Sequence, residues 1–336
     1  MRIAVSSLHH LGDLMAKIPL FSILKKNLKC HLRVIVQEGV IPLAKKIPLI
    51  DEVYSIESLI DLKDQIAFFE KTEAFLEIPS RERAIGPSLM PGAIEAKVPL
   101  RIGYKRGSFW KSHFKKRGMT HVISSPRIIP GLHEAKWTLQ YLKPFKLSPG
   151  SDTPSFLFPP SLVLPQVKEY LVPGSFNLIL HPGSLGNAKE WPFYGELISK
   201  LDPRISILVT GSQEEKKRFS HLDHPRVTFC MGELNLEEFL NLIEHAQGLI
   251  SGSTGPAHMA AAFGKRVWTL FPKQEGMSSA IWAPLGPHVN TIESSVICSS
   301  CHNRLSELNP RLCKCMEGIS VLEVLKTIEV FYENPL

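Results

Sequence analysis

Short apolar runs alternate with amphipathic segments through the second half of the chain. The apolar runs are rich in Val, Ile and Leu and predict strands, whereas the segments between them repeat apolar residues at helical spacing. Strands that alternate with helices predict a parallel sheet with helices on both faces, a Rossmann-like α/β domain that binds ligands at the carboxyl ends of its strands. The predicted strands are 178–181, 205–210, 226–229, 248–251 and 266–271, and the predicted helices are 191–201, 214–222, 236–246 and 256–263.

The first half of the chain begins with the same pattern. It predicts a strand over residues 2–6, a turn at Gly12-Asp13, a helix to about residue 28 and a second strand over 32–36. We therefore expect two Rossmann-like domains that face each other across a cleft. A last helix over 319–332 is expected to pack back by an apolar stripe. That stripe consists of Leu322, Leu325, Ile328 and Phe331.

Proline residues crowd the middle of the chain. Because proline disfavours helix interiors and central strands, this region predicts a linker near residues 159–175. The length of 336 residues and a hydrophobic content of 44% suit two globular domains. We expect an N-terminal domain of residues 1–160 and a C-terminal domain of residues 161–336. The prolines concerned are Pro144, Pro149, Pro154, Pro159, Pro160, Pro165 and Pro173.

Basic charge is concentrated in the first half. Residues 1–160 carry 24 Lys and Arg against 14 Asp and Glu, whereas residues 161–336 carry 15 against 18. Residues 97–117 hold eight bases and no acid, with aromatic residues between them. A solvated loop fits this segment, and so does a surface for nucleic acid, an anionic membrane or a phosphorylated lipid-linked substrate. The bases are Lys97, Arg101, Lys105, Arg106, Lys111, Lys115, Lys116 and Arg117.

A phosphate site is predicted where the strand ending at 251 leads through a polar turn into a helix at Gly255-Pro256. A helix start leaves backbone N–H groups free, and these groups bind phosphate. Ser184 and Lys189 follow the first strand of the same domain, where a hydroxyl and an ammonium group suit a diphosphate. A merely solvated Lys189 is the alternative. His258 could cap the phosphate or pack against its own helix.

Asp13 is the residue of interest in the first domain, because it follows the first strand at the predicted cleft. It has two interpretations. Asp is a favoured helix N-cap, and a helical segment follows Gly12-Asp13. Opposite a diphosphate site, the same carboxylate could take a proton from an attacking hydroxyl group.

Four motifs in this order resemble glycosyltransferase family 9, the bacterial heptosyltransferases. The resemblance spans nearly the whole chain and implies a GT-B fold, with an N-terminal acceptor domain and a C-terminal nucleotide-sugar domain. It also implies transfer with inversion and without a metal or other cofactor. The motifs are Leu11-Gly-Asp13 with Pro19, His181-Pro-Gly-Ser184, Lys189-Glu-Trp-Pro192 and Ser253-Thr-Gly-Pro-Ala-His258.

The resemblance also implies roles for individual residues. Asp13 is the general base, and Lys189 both binds the donor diphosphate and stabilises the leaving group. Glu214 lies near the donor ribose, although Glu215 competes for that role. Family members usually carry Asp where this chain has Ser253, which leaves the donor sugar open. The expected donor-binding residues are Ser184, Lys189, Glu214, Leu234 against adenine, Ser253, Thr254, Gly255 and His258.

The usual substrates of the family are ADP-heptose and the inner core of lipopolysaccharide, at the cytoplasmic face of the inner membrane. The N-terminus has too short an apolar stretch for a secretory signal, so we expect a cytoplasmic protein at the periphery of that membrane. We interpret the basic segment as the site of a phosphorylated lipid-linked saccharide and an anionic membrane surface, and not of nucleic acid. The expected acceptor-binding residues are Arg101, Lys105, Arg106, Lys115, Lys116 and Arg117.

A cysteine-rich segment over 298–315 precedes the last helix. In a cytosolic chain, paired thiols suggest a metal before a disulfide, but Cys-x-Cys is tighter than the usual zinc spacing. A structural zinc and a metal-free structural segment both stay open. The cysteines are Cys298, Cys301, Cys313 and Cys315.

Three other functions compete with glycosyl transfer. A sugar-nucleotide epimerase shares the two-domain architecture but converts the donor without an acceptor. A catalytically silent nucleotide-sugar binder would fit the change at Ser253. A dinucleotide-dependent dehydrogenase is disfavoured, because no G-x-G-x-x-G motif follows the first strand of either domain.

Overall fold

The chain folds into two compact units, Met1–Phe156 and Leu157–Leu336. The computed structural model describes residues 1–79, 87–104, 118–123, 131–150, 157–184, 190–274, 276–297 and 314–333. None of the helices within these ranges is long and apolar enough to cross a membrane.

The first unit contains a six-stranded parallel sheet in the order β3-β2-β1-β4-β5-β6. Its central strand β1 is buried after its first residue, and Val5 pairs with Val34 on one side and Leu76 on the other. The strand order reverses between β1 and β4, which is where an open α/β sheet forms a ligand-binding crevice. The strands are β1 Arg2–Ser6, β2 His31–Val36, β3 Glu52–Ser55, β4 Ala74–Glu77, β5 Leu100–Tyr104 and β6 His121–Ile123.

The second unit repeats this topology in its own six-stranded parallel sheet, β12-β11-β10-β7-β8-β9. The reversal lies between β7 and β10, whose registers pair Ile250 with Leu180. Both central strands are nearly continuous apolar runs, as expected for strands covered on both faces. The strands are β7 Phe176–His181, β8 Ile205–Val209, β9 Val227–Phe229, β10 Gly248–Gly252, β11 Arg266–Phe271 and β12 Val289–Glu293.

Helices cover the sheets, and local sequence explains where several of them begin. Asn235 and Glu238 form a reciprocal capping box at the start of one helix, with bonds of 3.0 and 2.9 Å. The described α-helices are Leu11–Met15, Ile18–Leu28, Ile41–Lys46, Leu62–Phe69, Met90–Glu95, Glu134–Thr138, Pro165–Lys168, Tyr194–Lys200, Gln213–Lys216, Leu236–His245, Gly255–Ala262, Ser279–Trp282, Lys314–Glu317 and Val321–Glu333. Short 3₁₀ helices span Glu38–Val40, Ile56–Leu59, Leu139–Phe145 and Ser220–Leu222.

The first predicted helix is broken in two. Helix Leu11–Met15 ends before helix Ile18–Leu28 begins, because Pro19 has no N–H group to donate to the Met15 carbonyl. The Lys17 N–H instead bonds to the Leu14 carbonyl at 3.0 Å. His10 is the N-cap, and Asp13 lies inside the first turn. The interpretation of Asp13 as an N-cap is therefore wrong.

Two other predicted segments differ from the structure. The predicted helix over 214–222 is a four-residue helix, Gln213–Lys216, followed by the 3₁₀ turn Ser220–Leu222. Within the proline-rich linker, Pro165 begins the short helix Pro165–Lys168, since proline is well tolerated at a first helical position.

The last helix packs on the core of the second unit. Trp191 donates from its indole nitrogen to the Ile319 carbonyl at 2.8 Å, just before this helix begins. The expected stripe is wrong at Leu322, whose exposed fraction is 61%, and the side chain of Phe331 lies outside the described residues. The buried stripe consists of Val321, Val324, Leu325 and Ile328.

Candidate functional site

Ser184 lies just beyond the carboxyl end of β7, at the strand reversal of the second sheet. It is buried, and its hydroxyl oxygen has no hydrogen-bond partner among the residues that the structure describes. A buried hydroxyl without a partner loses its hydrogen bonds to water without replacement. This loss would be offset by a ligand that accepts a hydrogen bond at this position.

The start of helix Gly255–Ala262 lies beside Ser184 in the topology, because β10 pairs with β7. Thr254 is the N-cap, but its side chain does not cap the helix. The Thr254 hydroxyl donates instead to the Ser251 hydroxyl at 3.3 Å. Backbone N–H groups of the first turn are therefore left without a side-chain cap, which is the arrangement that binds phosphate.

A buried carboxyl group also lies at this edge. Glu190 is buried, accepts from the Ser184 N–H at 3.3 Å and from Arg218 Nη2 at 2.6 Å. Burial raises the pKa of Glu190 to about 7, although the charge of Arg218 opposes this shift. Near neutral pH the Glu190 carboxyl therefore changes its charge beside a predicted diphosphate site.

His181 ends β7 and is neutral at pH 7. Its Nδ1 atom lies 3.0 Å from the Thr210 hydroxyl, and its ring stacks on Phe239 with centroids 5.5 Å apart. Burial lowers the pKa of His181 to about 4, and the nearby charge of Glu215 only partly offsets that effect. His181 therefore contributes shape and hydrogen bonding to this edge, and no positive charge.

The two neighbouring glutamates have different surroundings. Glu214 is exposed, and hydrogen bonds from its own backbone N–H and from the Ser212 hydroxyl lower its pKa. Glu215 is half-buried, caps its helix with Ser212 and fills the space that a side chain at Gly183 would need. The structure therefore brings Glu215, and not Glu214, against the loop after β7.

Leu234 lies in the loop that follows β9 and lines a cavity of about 340 Å³. Apolar and acidic side chains share its wall, and Lys216 neutralises one of these acids, Glu233, at 2.5 Å. The remaining lining residues are Pro165, Gln166, Glu169, Tyr170 and Glu238.

Ser253 and His258 are both buried, and each makes at least one interaction. His258 lies in the first half of its helix, whose residues from Pro256 to Ala262 are all buried. Gly255 is the first residue of that helix and is half-buried.

In the first unit, Asp13 follows the carboxyl end of β1 by one short connection. Its side chain is 6% exposed, and its Oδ1 atom is buried without a hydrogen-bond partner in the described part of the chain. A carboxylate oxygen in this state is a strong acceptor for a substrate hydroxyl group.

Sequence reasoning missed two charged residues that lie near Asp13. Lys17 and Glu134 are each only 1% exposed, and the charges of Asp13 and Glu134 both act on Lys17. A lysine four residues after Asp13 in a helical segment was a usable signal, because such residues share one helix face. Glu134 is far away in sequence and gave no such signal.

Several expected site residues lie outside the described residues: Lys189, Lys105, Arg106, Lys115, Lys116, Arg117, Cys298, Cys301 and Cys313. Cys315 is buried. No group of three or more His, Cys, Asp or Glu residues that could hold a metal occurs within the described ranges.

Arg101 lies within the described residues and stabilises the local fold. Its guanidinium group donates to the backbone carbonyls of Gly118 and Val98, and its N–H donates to the Thr120 hydroxyl at 2.8 Å. These bonds hold the segment before β6 against β5. A place for Arg101 in an acceptor surface stays a prediction.

Comparisons with known proteins point to one family. Residues 167–311 match the model of glycosyltransferase family 9 (heptosyltransferase). Lipopolysaccharide heptosyltransferase 3 of Escherichia coli is 22% identical over 281 residues, which cover 77% of this chain and 80% of that protein. The chain is therefore similar to glycosyltransferase family 9.

Solved structures agree with this similarity at the level of the fold. The chain matches a family 9 glycosyltransferase from Veillonella parvula with a TM-score of 0.77 and 18% identity, over 98% of this chain and 96% of that one. It matches the ADP-heptose lipopolysaccharide heptosyltransferase II of E. coli with a TM-score of 0.73 and 18% identity, over 98% of both chains. The expected GT-B fold of two parallel-sheet α/β domains is confirmed.

Together, the family match and the heptosyltransferase relative support glycosyltransferase activity for this chain. The matched range contains all of the expected donor residues, from Ser184 to His258, but neither Asp13 nor the basic segment. The roles of individual residues in both units remain proposals.

Proposed function

We propose that this glycosyltransferase moves a heptose from ADP-heptose to a phosphorylated inner-core saccharide of lipopolysaccharide. Heptosyltransferases of lipopolysaccharide are among its relatives, and one solved structural neighbour is named for ADP-heptose. The second unit would bind the donor, and the first unit would bind the acceptor and supply the base.

The observation that carries the proposal is the pair of hydrogen-bond donors at the β7–β10 reversal. The buried Ser184 hydroxyl has no described partner, and the adjacent helix start has no side-chain cap at Thr254. Both features suit phosphate oxygens, and a ligand at this reversal obeys the general rule for open α/β sheets. Lys189 would add a positive charge to the diphosphate.

The nucleoside and sugar would lie on either side of that diphosphate. Leu234 and its cavity would take the adenine, and Glu215 is better placed than the exposed Glu214 to accept from the ribose hydroxyl groups. Ser253, Gly255 and His258 would contact the sugar side of the diphosphate.

The reaction would be a single displacement. An acceptor hydroxyl group gives its proton to the Asp13 carboxylate while its oxygen forms a bond to the anomeric carbon. The bond between that carbon and the β-phosphate oxygen breaks, and ADP leaves with the electron pair. Attack opposite to the leaving group inverts the anomeric centre. Ser184, Lys189 and the helix start at Thr254 would stabilise the charge that develops on the diphosphate.

This route uses no metal ion, and chelation provides its test. Dialysis against EDTA should leave the transfer rate unchanged, and metal analysis of the same sample would show whether Cys298, Cys301, Cys313 and Cys315 hold zinc. A loss of activity that Zn²⁺, Mg²⁺ or Fe²⁺ restores would overturn metal independence.

The basic segment 97–117 would hold the acceptor's phosphates and the anionic membrane surface at the cytoplasmic side. Reversing the charges of Lys115, Lys116 and Arg117 should raise the acceptor KM and weaken binding to anionic liposomes, with donor affinity unchanged. Unchanged acceptor KM and liposome binding would remove Lys115, Lys116 and Arg117 from the acceptor site.

Ser253 supports a second candidate, a family 9 transferase with another nucleotide-sugar donor. A serine cannot accept hydrogen bonds from sugar hydroxyl groups as strongly as the usual carboxylate does. The same change suits a catalytically silent binder, which would bind the donor without turnover.

The experiment that tests the proposal is a transfer assay with lipopolysaccharide truncated in its inner core and with ADP-heptose, GDP-mannose or UDP-glucose. Mass spectrometry should show the acceptor gaining one heptose only with ADP-heptose, and NMR of the product should show inversion. Transfer only from another donor supports the second candidate, and donor binding without transfer supports the silent binder. Conversion of the donor without acceptor would indicate an epimerase.

A further inference from the structure

Three charged side chains are buried together after β1 of the first unit. Asp13 lies in helix Leu11–Met15, Lys17 in the break that follows it, and Glu134 at the start of helix Glu134–Thr138. Their exposed fractions are 6, 1 and 1%. We call these three residues the buried charge cluster.

Lys17 is tied to the backbone beside Asp13. Because the helix breaks before Pro19, the Lys17 N–H bonds to Leu14, and the Lys17 ammonium group donates to the Asp13 carbonyl at 3.0 Å. The helix that carries Glu134 packs on the same break, since the Thr138 hydroxyl reaches the Ala16 carbonyl at 3.5 Å. The ammonium group is thus fixed at the backbone carbonyl of Asp13.

Burying a lysine this fully carries a large cost in solvation. Burial lowers the pKa of Lys17, while the charges of Asp13 and Glu134 raise it. Removing either carboxylate would leave the ammonium group less compensated, and removing the ammonium group would leave two carboxylates buried together. The charged state of the buried Lys17 therefore depends on both carboxylates.

We propose that Lys17 is a positioning residue for the catalytic base, and that Glu134 tunes the base by sharing the charge of Lys17. The inference rests on the proposed role of Asp13 as the general base. The positive charge of Lys17 would attract the Asp13 carboxylate, and the negative charge of Glu134 would compensate part of the Lys17 charge.

Other titratable groups also lie near the cluster. Tyr141 faces Glu134 and Glu77, donates to the Glu77 carbonyl at 2.8 Å, and has a pKa well above its usual value because it is buried. Tyr104 also faces Tyr141. His9 is buried in the connection before Asp13, His10 is exposed, and His133 accepts from the Ala135 N–H as its helix begins.

The test compares Lys17→Met, Glu134→Gln and a control, Lys25→Met. Lys25 lies in the next helix and pairs with Asp51 at 2.7 Å, so its loss removes an ion pair that does not involve Asp13. Two readouts are used: the pH profile of kcat/KM for transfer from ADP-heptose, and an NMR titration of ¹³C-labelled aspartate carboxyls without substrates. Asp13→Asn identifies the Asp13 signal.

The two cluster variants should shift the pH midpoint of the Asp13 titration in opposite directions. Lys17→Met should raise the pH midpoints of the Asp13 titration and of the acidic limb of the profile by about one unit or more. At pH values below the limb, this shift corresponds to about a tenfold loss of activity. Glu134→Gln should lower both midpoints, and Lys25→Met should move neither. A merely structural role would reduce activity or stability without moving either titration.

The outcomes separate this inference from the proposed function. If Asp13→Asn keeps normal transfer, Asp13 is not the base and the proposed mechanism fails. If Asp13→Asn abolishes transfer but Lys17→Met leaves the acidic limb and the NMR titration in place, the inference fails alone. Shifts of equal sign in Lys17→Met and Glu134→Gln would also overturn it.

Discussion

The reversal points of the two sheets have the same strand topology and opposite chemistry. At β1–β4 the first unit buries charged side chains, namely Asp13 with Lys17 and Glu134. At β7–β10 the second unit offers neutral hydrogen-bond donors, the Ser184 hydroxyl and the start of helix Gly255–Ala262. The fold supplies a crevice at each point, and the residues after the strands decide what it can bind.

This contrast suits the two tasks of the proposed glycosyl transfer, which are proton transfer and diphosphate binding. Moving a proton needs a group whose charge can change, and its neighbours must hold that charge near the required value. Holding a diphosphate needs fixed donors that keep their polarity at every pH, which backbone N–H groups and hydroxyls provide. We therefore expect the first edge to control the chemical step and the second to control donor affinity.

The largest expected effect is on the chemical step. Asp13→Asn removes the proton acceptor and should lower kcat by about 10² to 10⁴-fold, because general-base catalysis contributes on that order. Calorimetry should show unchanged ADP-heptose affinity, since the donor edge is intact. The matched control, Asp64→Asn, alters an exposed aspartate of the same unit and should keep full activity. Equal losses in kcat and donor affinity would break the division between the two edges.

A negative charge introduced at the second edge should raise stability and weaken ADP binding. Thr254→Asp provides the missing side-chain cap and should raise the free energy of unfolding by about 1 kcal/mol. The same carboxylate would repel a diphosphate and should weaken ADP binding at least tenfold. Ser320→Asp, at the start of helix Val321–Glu333, is the control and should leave ADP binding unchanged. If Thr254→Asp binds ADP normally, phosphate does not bind at this helix start.

Removing one neutral donor should have a smaller effect. Ser184→Ala should weaken ADP binding by about tenfold, as expected for a hydrogen bond to a charged group worth about 1.5 kcal/mol. Thermal stability should stay the same, since the hydroxyl has no partner among the described residues. Ser199→Ala, on an exposed helix position, serves as the control for both measurements. A loss of stability without a loss of affinity would make Ser184 a structural residue.

The last expected effect concerns stability alone and involves the titrating group at the second edge. The pKa of Glu190 is raised to about 7, so its contribution to stability is complete below about pH 4.5 and is lost as the pH rises through 7. Glutamine does not ionise. Between pH 5 and pH 8, the free energy of unfolding of the wild type should therefore fall by about 1–3 kcal/mol relative to that of Glu190→Gln. Urea unfolding at both pH values checks this. If the free energies of unfolding of the two proteins differ by the same amount at pH 5 and pH 8, the pKa of Glu190 is not raised.

The sequence predicted the second sheet better than the first. Apolar runs such as 266–271 coincide with buried strands, because a strand covered on both faces is mostly apolar. The helix break before Pro19 was missed, since proline near a helix start is compatible with a helix and gives an ambiguous signal. Leu322 was misplaced because Val321, with Leu325 and Ile328, occupies the buried face of the helix, and Leu322 lies outside that face.

The candidate site was predictable where it is local in sequence. The turn at Ser253-Thr254 and the loop to Ser184 follow apolar strands directly, so motif and strand end could be found together. The buried charge cluster could not be found this way, because Glu134 meets Lys17 only through the packing of helix Glu134–Thr138. Burial of charge depends on such long-range packing, which no local pattern specifies.

The most direct measurement is a calorimetric titration of the wild type and Lys189→Ala with ADP-heptose, ADP, GDP-mannose, UDP-N-acetylglucosamine and UDP-glucose. If the β7–β10 edge holds ADP-heptose, the wild type binds that donor most tightly, and Lys189→Ala loses at least tenfold in its affinity. Tighter binding of another nucleotide sugar, or equal affinity in the variant, would contradict ADP-heptose as the donor at this edge.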